Sequence, residues 1–185
     1  MSDNVKELPL IGVALVVLTD KDDKKYSFST ATKANAKLDI EEGKKTELII
    51  KGALKAMKKF PSVIKGVAVE FEDNMFLPEV VCLLQGGVVE IDTDKSKFKS
   101  YTPPAAGGTP DLDSFTVDIY TEETDTSGDI VGYAKLSLPN GKGEPVDLAF
   151  EDDKFFAATY TINTAPSTGQ PPYKIEMVDS LPVIA

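Results

Sequence analysis

Strict alternation of apolar and polar residues recurs along most of this chain, and it restricts those segments to half-buried sheet. In "GVAVEFE", Val67, Val69 and Phe71 share one face and Ala68, Glu70 and Glu72 the other; in "FTVDIYTEE", Phe115, Val117 and Ile119 point inward. From Ile130 the string "IVGYAKLSL" puts Ile130, Ala134, Leu136 and Leu138 on one side, "PNGKGEP" interrupts it, and "VDLAF" resumes through Val146, Leu148 and Phe150. Asn-Gly tolerates positive φ at low cost, so a hairpin turning at Asn140 and Gly141 is expected. Further strands are expected over Leu10–Leu18, Lys24–Lys33, Val88–Asp92, Phe155–Asn163 and Tyr173–Val178.

One segment breaks the period. In "FLPEVVCLLQGG", Leu77, Val80, Val81 and Leu84 fall at i, i+3, i+4 and i+7, the stripe of an amphipathic helix over about residues 77–86. Pro78 suits its first position, Glu79 complements the positive end of the dipole, and Gly86 can close it in a left-handed conformation. So short a helix is unstable alone and must pack on a sheet. Thr46–Phe60 gives conflicting signals: "ALKAMKK" favours helix, whereas Gly52 and the Leu48/Ile50 alternation favour extended structure, which is the expectation taken. Two proline-rich stretches, Thr102–Asp111 and Thr164–Pro172, read as loops. The chain has length for one core and is short for two, so one domain is expected across residues 1–185. The fold class is mainly β, an antiparallel sandwich or barrel-like body with one flanking helix.

Composition removes most site chemistry. All 20 basic residues are Lys, with no Arg, His or Trp. Without imidazole there is no Ser-His-Asp or Cys-His nucleophile and no histidine-bound zinc. Without guanidinium there is no bidentate fork for phosphate or guanine. Cys82, the one cysteine, forms no internal disulfide and reads as a small buried hydrophobe in mid-helix. Ser-x-x-Lys at Ser62–Lys65 and Ser96–Lys99 lacks the companion motifs of acyl-enzymes. Asp92/Asp94 and Asp20/Asp22 fail the calcium-loop pattern, with Lys97 or Lys25 where Gly is required. No enzyme, cofactor or metal is expected. The uncharged run Leu10–Leu18 is too short to span a bilayer, and "MSDNVKELP" has no basic region of a signal peptide.

Charge is divided along the chain. Residues 1–65 hold 13 Lys and 9 acids, net +4, while residues 66–185 hold 7 Lys and 21 acids, net −14. The densest basic stretch comprises Lys44, Lys45, Lys51, Lys55, Lys58, Lys59 and Lys65, opposed only by Glu47. A basic segment and an acidic body on one chain are suited to contact between copies, because complementary fields steer docking and fix register. The plainer reading is a solvated lysine-rich face.

The order of these elements carries a resemblance. A strand ending near Phe71, the helix "FLPEVVCLLQGG", "LPNGKGEPVDLAF", the strand "FFAATYTINTA", a proline-rich loop and the terminal "PPYKIEMVDSLP" together resemble the tail tube (major tail) proteins of bacteriophages and phage-like particles of Gram-positive bacteria. The resemblance covers about Val63–Pro182; before it, only the leading apolar strand and a lysine-rich insertion at about residues 35–62 match. It implies a β-sandwich or barrel-like body, six copies to a ring, and rings stacked through a long loop or arm into a hollow tail tube. It also implies partners: further copies, the tape measure protein, tail terminator and baseplate proteins, a sheath protein in a contractile particle, and DNA in transit without specific binding. The location implied is the virion tail, with assembly in the host cytoplasm.

A conduit for duplex DNA should not bind it, since each phosphate neutralised adds affinity. Glu70, Glu72, Glu90, Asp92, Asp118 and Asp147, which oppose the core face of their strands, are the lumen candidates. The lysine stretch is the candidate arm. The competing expectation is a non-viral β-sandwich binding module of the adhesin type.

Overall fold

The structure is a computed structural model, and it describes residues 7–92, 97–108, 110, 112–150, 152–153 and 157–184. The expected strand start at Phe155 and the acid Asp94 lie outside these residues. The described chain is mainly β, with antiparallel sheets and one short helix.

The large sheet holds nine strands: β1 (Leu10–Thr19), β2 (Lys25–Phe28), β3 (Ala31–Glu41), β6 (Val63–Asp73), β9 (Phe115–Thr124), β10 (Ile130–Gly143), β11 (Asp147–Ala149), β12 (Ala157–Thr164) and β13 (Lys174–Val178). Its hydrogen-bonded path runs β2-β1-β9-β10-β12-β6-β3, with β11 on β12 and β13 on β10. The ends of the path curl toward each other, so that Cα atoms of β1 and β3 approach within 8 Å. The lysine-rich stretch forms a separate hairpin, β4 (Lys45–Ile50) and β5 (Ala53–Lys59). A second hairpin pairs β7 (Val88–Asp92) with β8 (Lys97–Thr102), a strand the alternation had not revealed.

Alternation places the core where the sequence indicated in β6 and β9, and Ala134 and Leu138 of β10 are buried. Ile130, Leu148 and Phe150, expected on the same inner face, are exposed because β10 runs past Asn140 and only the short β11 follows. Val67, Val69 and Phe71 are buried while Glu70 and Glu72 are exposed; Phe115, Val117 and Ile119 are buried in the same core cluster. Phe71 meets Phe28 edge-on, with ring centroids 5.6 Å apart, and Phe28 meets Tyr160 at 5.9 Å. Edge-to-face pairs of this kind add to the apolar burial of the rings themselves.

The helix α1 (Pro78–Gln85) lays Val80, Val81 and Leu84 on this core, with Glu79 in its first turn. Gly86 ends it at φ 78° and ψ −166°, a positive-φ conformation reserved to glycine and distinct from the left-handed helical one expected. The end of α1 is tied on two sides through Gln85. Its Nε2 donates to the Tyr101 hydroxyl of β8 at 2.8 Å, and its Oε1 accepts from Val146 N at 2.7 Å. Tyr101 in turn donates to Gly86 O at 2.7 Å. Cys82, expected to be buried, is half-buried, its thiol 3.4 Å from Gly87 O.

Three strand expectations need correction. Asn140 and Gly141 form no hairpin: β10 runs through them to Gly143, and β11 pairs with β12. Asn140 has φ 52°, and the register against β9 shifts between Leu138 and Gly141, so the dipeptide makes a bulge. Bulges bend a strand and increase its twist. Here the bend lets one edge of β10 pair with β13 over Tyr133–Ser137 and with β12 over Gly141–Gly143. The apolar run at Leu10–Leu18 is a strand, but only its second half is buried. Val16 and Leu18 are fully buried, whereas Leu10 and Ile11 are exposed ahead of a bulge. Lys24–Lys33 is likewise interrupted, with Ser29 and Thr30 separating β2 from β3.

Candidate interaction surfaces

Every residue of β4 and β5 is exposed. The hairpin turns at Lys51 and Gly52, whose φ angles of 49° and 76° are those of the primed turns that match strand twist. Its register pairs Lys45 with Lys59, Thr46 with Lys58 and Ile49 with Leu54. At its stem Phe60 N donates to Lys44 O at 2.9 Å, and Gly43 N donates to Ser62 Oγ at 3.2 Å.

The seven candidate lysines therefore gather on one projection and its root. Some of their charge is used within the chain. Lys45 pairs with Glu47, Lys65 pairs with Glu41 at 2.8 Å, and Lys58 lies 4.8 Å from the centroid of Phe60. The hydrogen bond from Lys65 lowers the pKa of Glu41, and Glu41 raises that of Lys65. Lys51, Lys55 and Lys59 have no ion-pair partner among the described residues.

Charge counting missed the hairpin's apolar content. Leu48, Ile49, Ile50, Leu54 and Met57 are each about half exposed, an unusual display of large aliphatic side chains on one projection. The signal was present in "ELIIKGALKAM", where apolar residues flank a turn with no helical stripe. A lone two-stranded hairpin is marginal in water.

The acidic candidates separate into three places. Glu70 and Glu72 of β6 and Asp147 of β11 lie together: Glu72 pairs across to Thr159, whose other neighbour is Asp147. Asp118 lies on β9, pairing with Ser137, and accepts from its hydroxyl at 2.5 Å. Glu90 and Asp92 are on the β7–β8 hairpin, outside the large sheet. Glu90 accepts from Ser100 Oγ at 3.0 Å and pairs with Lys99 at 3.1 Å. Those bonds, that of Lys99 foremost, hold its carboxyl below the usual range.

A cleft of about 520 Å³ opens beside α1, between the β1–β2 turn and β7. Leu83, Val88, Val89, Ile91 and Leu112 give it an apolar wall, and Asp20, Asp22, Glu79 and Asp113 outnumber Lys21 and Lys24 at its rim. Asp20 builds the turn, its Oδ1 accepting from Asp22 N and Lys24 N at 2.9 Å. Lys21 reaches Asp113 at 2.6 Å and Lys24 reaches Glu79 at 4.0 Å. A smaller apolar groove lies elsewhere, lined by Leu38, Val67, Leu138, Tyr173 and Ile175. Among the described residues no group of three or more His, Cys, Asp or Glu is arranged to hold a metal ion, and no helix is long and apolar enough to cross a membrane.

These features define a mainly β protein with a projecting basic, apolar hairpin and an acid-rimmed cleft. No protein-family model matches the chain, and no curated protein matches it significantly. Among solved structures it is similar to a chain of the anti-feeding prophage cap, the tube terminating cap, at TM-score 0.49 and 11% identity over 96% of this chain and 97% of that one. It is similar to a chain of the sheath-tube complex of an extracellular contractile injection system in the extended state, at TM-score 0.47 and 8% identity over 92% of each. A chain of the anti-feeding prophage baseplate follows at TM-score 0.38 and 8% identity, over 96% of this chain and 97% of that one.

Proposed function

We propose that this protein is a structural subunit without catalytic activity that polymerises, as stacked rings of six, into the hollow tube of a phage tail or phage-tail-like particle. The observation that carries the reading is the β4–β5 hairpin, which leaves the large sheet with every residue exposed and with lysines and large aliphatic side chains side by side. Among the described residues this projection has no counterpart to bury against. Contact of one copy with a different surface on the next is heterologous, and such contacts propagate into rings or filaments.

The rest of the composition fits that role. With 30 acids, 20 lysines and no arginine, the chain is a poor ligand for phosphate backbones, as the wall of a DNA conduit should be. Glu70, Glu72 and Asp147, which share one region of the sheet, are the strongest lumen candidates; Asp118 is a further one, and Glu90 and Asp92 would contribute only if the β7–β8 hairpin also faces the bore. In this reading the tape measure protein and DNA pass through the tube, tail terminator and baseplate proteins close its ends, and a sheath surrounds it in a contractile particle. Assembly takes place in the host cytoplasm, from which the subunit enters the tail.

Negative-stain electron microscopy of the purified protein tests the reading. Hollow filaments with rings of six in end view are the expected result; a monodisperse monomer at every concentration and salt overturns it and favours a lone binding module.

A further inference from the structure

The hairpin and the cleft lie at opposite ends of the strands. In the β3–β6 pair, Glu41 stands opposite Val63 at one end and Ala31 opposite Asp73 at the other. The β4–β5 hairpin continues from the Glu41/Val63 end, and α1 follows Asp73 at the far end. The β1–β2 turn and β7 join α1 there to form the cleft. β3 alone, at 11 residues, spans about 35 Å, so the two surfaces of one chain are held apart by the length of the sheet.

The two surfaces match in chemistry. The hairpin carries Lys45, Lys51, Lys55, Lys58 and Lys59 against Glu47 alone, with Ile49 and Leu54 paired beside the turn. The cleft sets Asp22, Glu79 and Asp113 around an apolar wall in which Val88 and Ile91 are more than half exposed. The apolar groove at Leu38 and Ile175 is the weaker receptor. It lies near the hairpin's own end of the sheet, where Leu38 pairs with Val67, and its lining carries no acid.

We infer that the tip of the β4–β5 hairpin of one copy seats in the cleft between the β1–β2 turn, α1 and β7 of a second copy, with Ile49 and Leu54 against the Val88/Ile91 wall and the tip lysines among the rim carboxylates. This rests on the tube reading and names the surface that receives the arm. Repetition of the contact translates each copy along the strand direction relative to the last. The same contact orders a hairpin that is marginal by itself, so arm and cleft become fully structured only in the assembly.

Site-directed cross-linking between co-assembled chains tests this. On a Cys82→Ser background, chains carrying Leu54→Cys are mixed with chains carrying Val88→Cys, assembled, and treated with a short bis-maleimide. Chains carrying Ile175→Cys report on the rival groove. All three positions are exposed, so folding is preserved. A second pair, Lys51→Cys with Asp22→Cys, repeats the test at two exposed polar positions. The expected result is a cross-linked peptide joining position 54 to 88, and another joining 51 to 22, present in tubes and absent from dispersed chains. Tubes in which position 54 links to 175, or in which neither expected link forms, overturn the inference while leaving the tube reading intact. Absence of tubes from the natural chain overturns both.

Discussion

Thr30 Oγ1 donates a 2.6 Å hydrogen bond to Oδ1 of Asp73, a carboxylate buried at the end of β6. Met75 N donates to the same oxygen at 3.1 Å, and the buried Oδ2 has no partner among the described residues. A buried carboxylate held by so few donors depends on each of them. Thr30→Val is expected to destabilise the chain by about 1–3 kcal/mol, because it leaves a desolvated acceptor under-bonded. Urea unfolding checks this: the midpoint falls with an unchanged slope, and a midpoint equal to that of the natural chain contradicts the assignment.

Gly143 closes the contact between β10 and α1. A Cβ at this position would stand 2.5 Å from Leu84 Cα and from Leu84 O, both backbone atoms that cannot swing aside. Gly143→Ala is therefore expected to cost about 1–3 kcal/mol by forcing the helix off the sheet. Gly107→Ala, where nothing lies within 4 Å, controls for size, although its φ of 80° adds its own strain. Thermal unfolding should show the larger loss at Gly143.

The sequence made much of this legible, for physical reasons that differ by element. The helix was readable because four apolar residues, a proline and a glycine agree on one short window. The lysine-rich stretch was readable as a charge anomaly, but its exposed apolar content was hidden, since Ile49 and Leu54 look like core residues until the fold leaves them outside. Asn140–Gly141 misled because positive φ serves a bulge as well as a hairpin turn, and only the pairing partner of the following strand distinguishes them. No local signal reveals that β12 lies between β10 and β6, or that α1 and the β1–β2 turn share a cleft; those neighbours meet through long-range pairing. The separation of Glu90 and Asp92 from the other acids is a consequence of the same pairing.

The strand β13 is fastened to β10 by Glu176, which takes Lys135 at 2.5 Å and also Lys174. These two partners, Lys135 first, lower the Glu176 pKa from 4.5 to about 2. A lowered carboxyl pKa contributes stability above the unfolded value that is lost as pH falls through the folded one. Lys135, whose pKa Glu176 raises, loses its contribution only in the alkaline range as it deprotonates. Stability should therefore fall between about pH 4.5 and 2, and Lys135→Gln should flatten that limb. Chemical denaturation from pH 6 to 2.5 measures the slope; identical acid limbs in the two chains refute the coupling.

Tyr160 packs against Phe28 and donates its hydroxyl to Met75 O at 3.3 Å. Burial pushes its phenol up to about 12, because the phenolate would lose its hydration. The folded state then holds this proton where the unfolded chain has released it, so stability declines as pH rises from 10 toward 12. Burial also raises Tyr26 and Tyr120, but by less, so ultraviolet titration of the six tyrosines should end in one latest component, and Tyr160→Phe should remove it. Its persistence in the variant would assign the late phenol elsewhere.

In the proposed contact between copies the hairpin would join two forces with opposite salt responses, which gives assembly a distinctive signature. Exposed ion pairs contribute roughly 0.2–1 kcal/mol each. Loss of three, in Lys51→Glu, Lys55→Glu and Lys58→Glu, should raise the critical concentration for filaments by roughly 3- to 150-fold at low salt, with repulsion adding to the loss. Screening shortens from about 30 Å at 0.01 M to about 3 Å at 1 M, so high salt relieves that repulsion and filaments should return. Ile49→Ser with Leu54→Ser removes apolar burial instead, which salt does not screen, and filaments should stay absent throughout the salt series. Sedimentation with electron microscopy across that series separates the two variants. Equal behaviour of both would mean that lysines and aliphatic residues do not act at one contact.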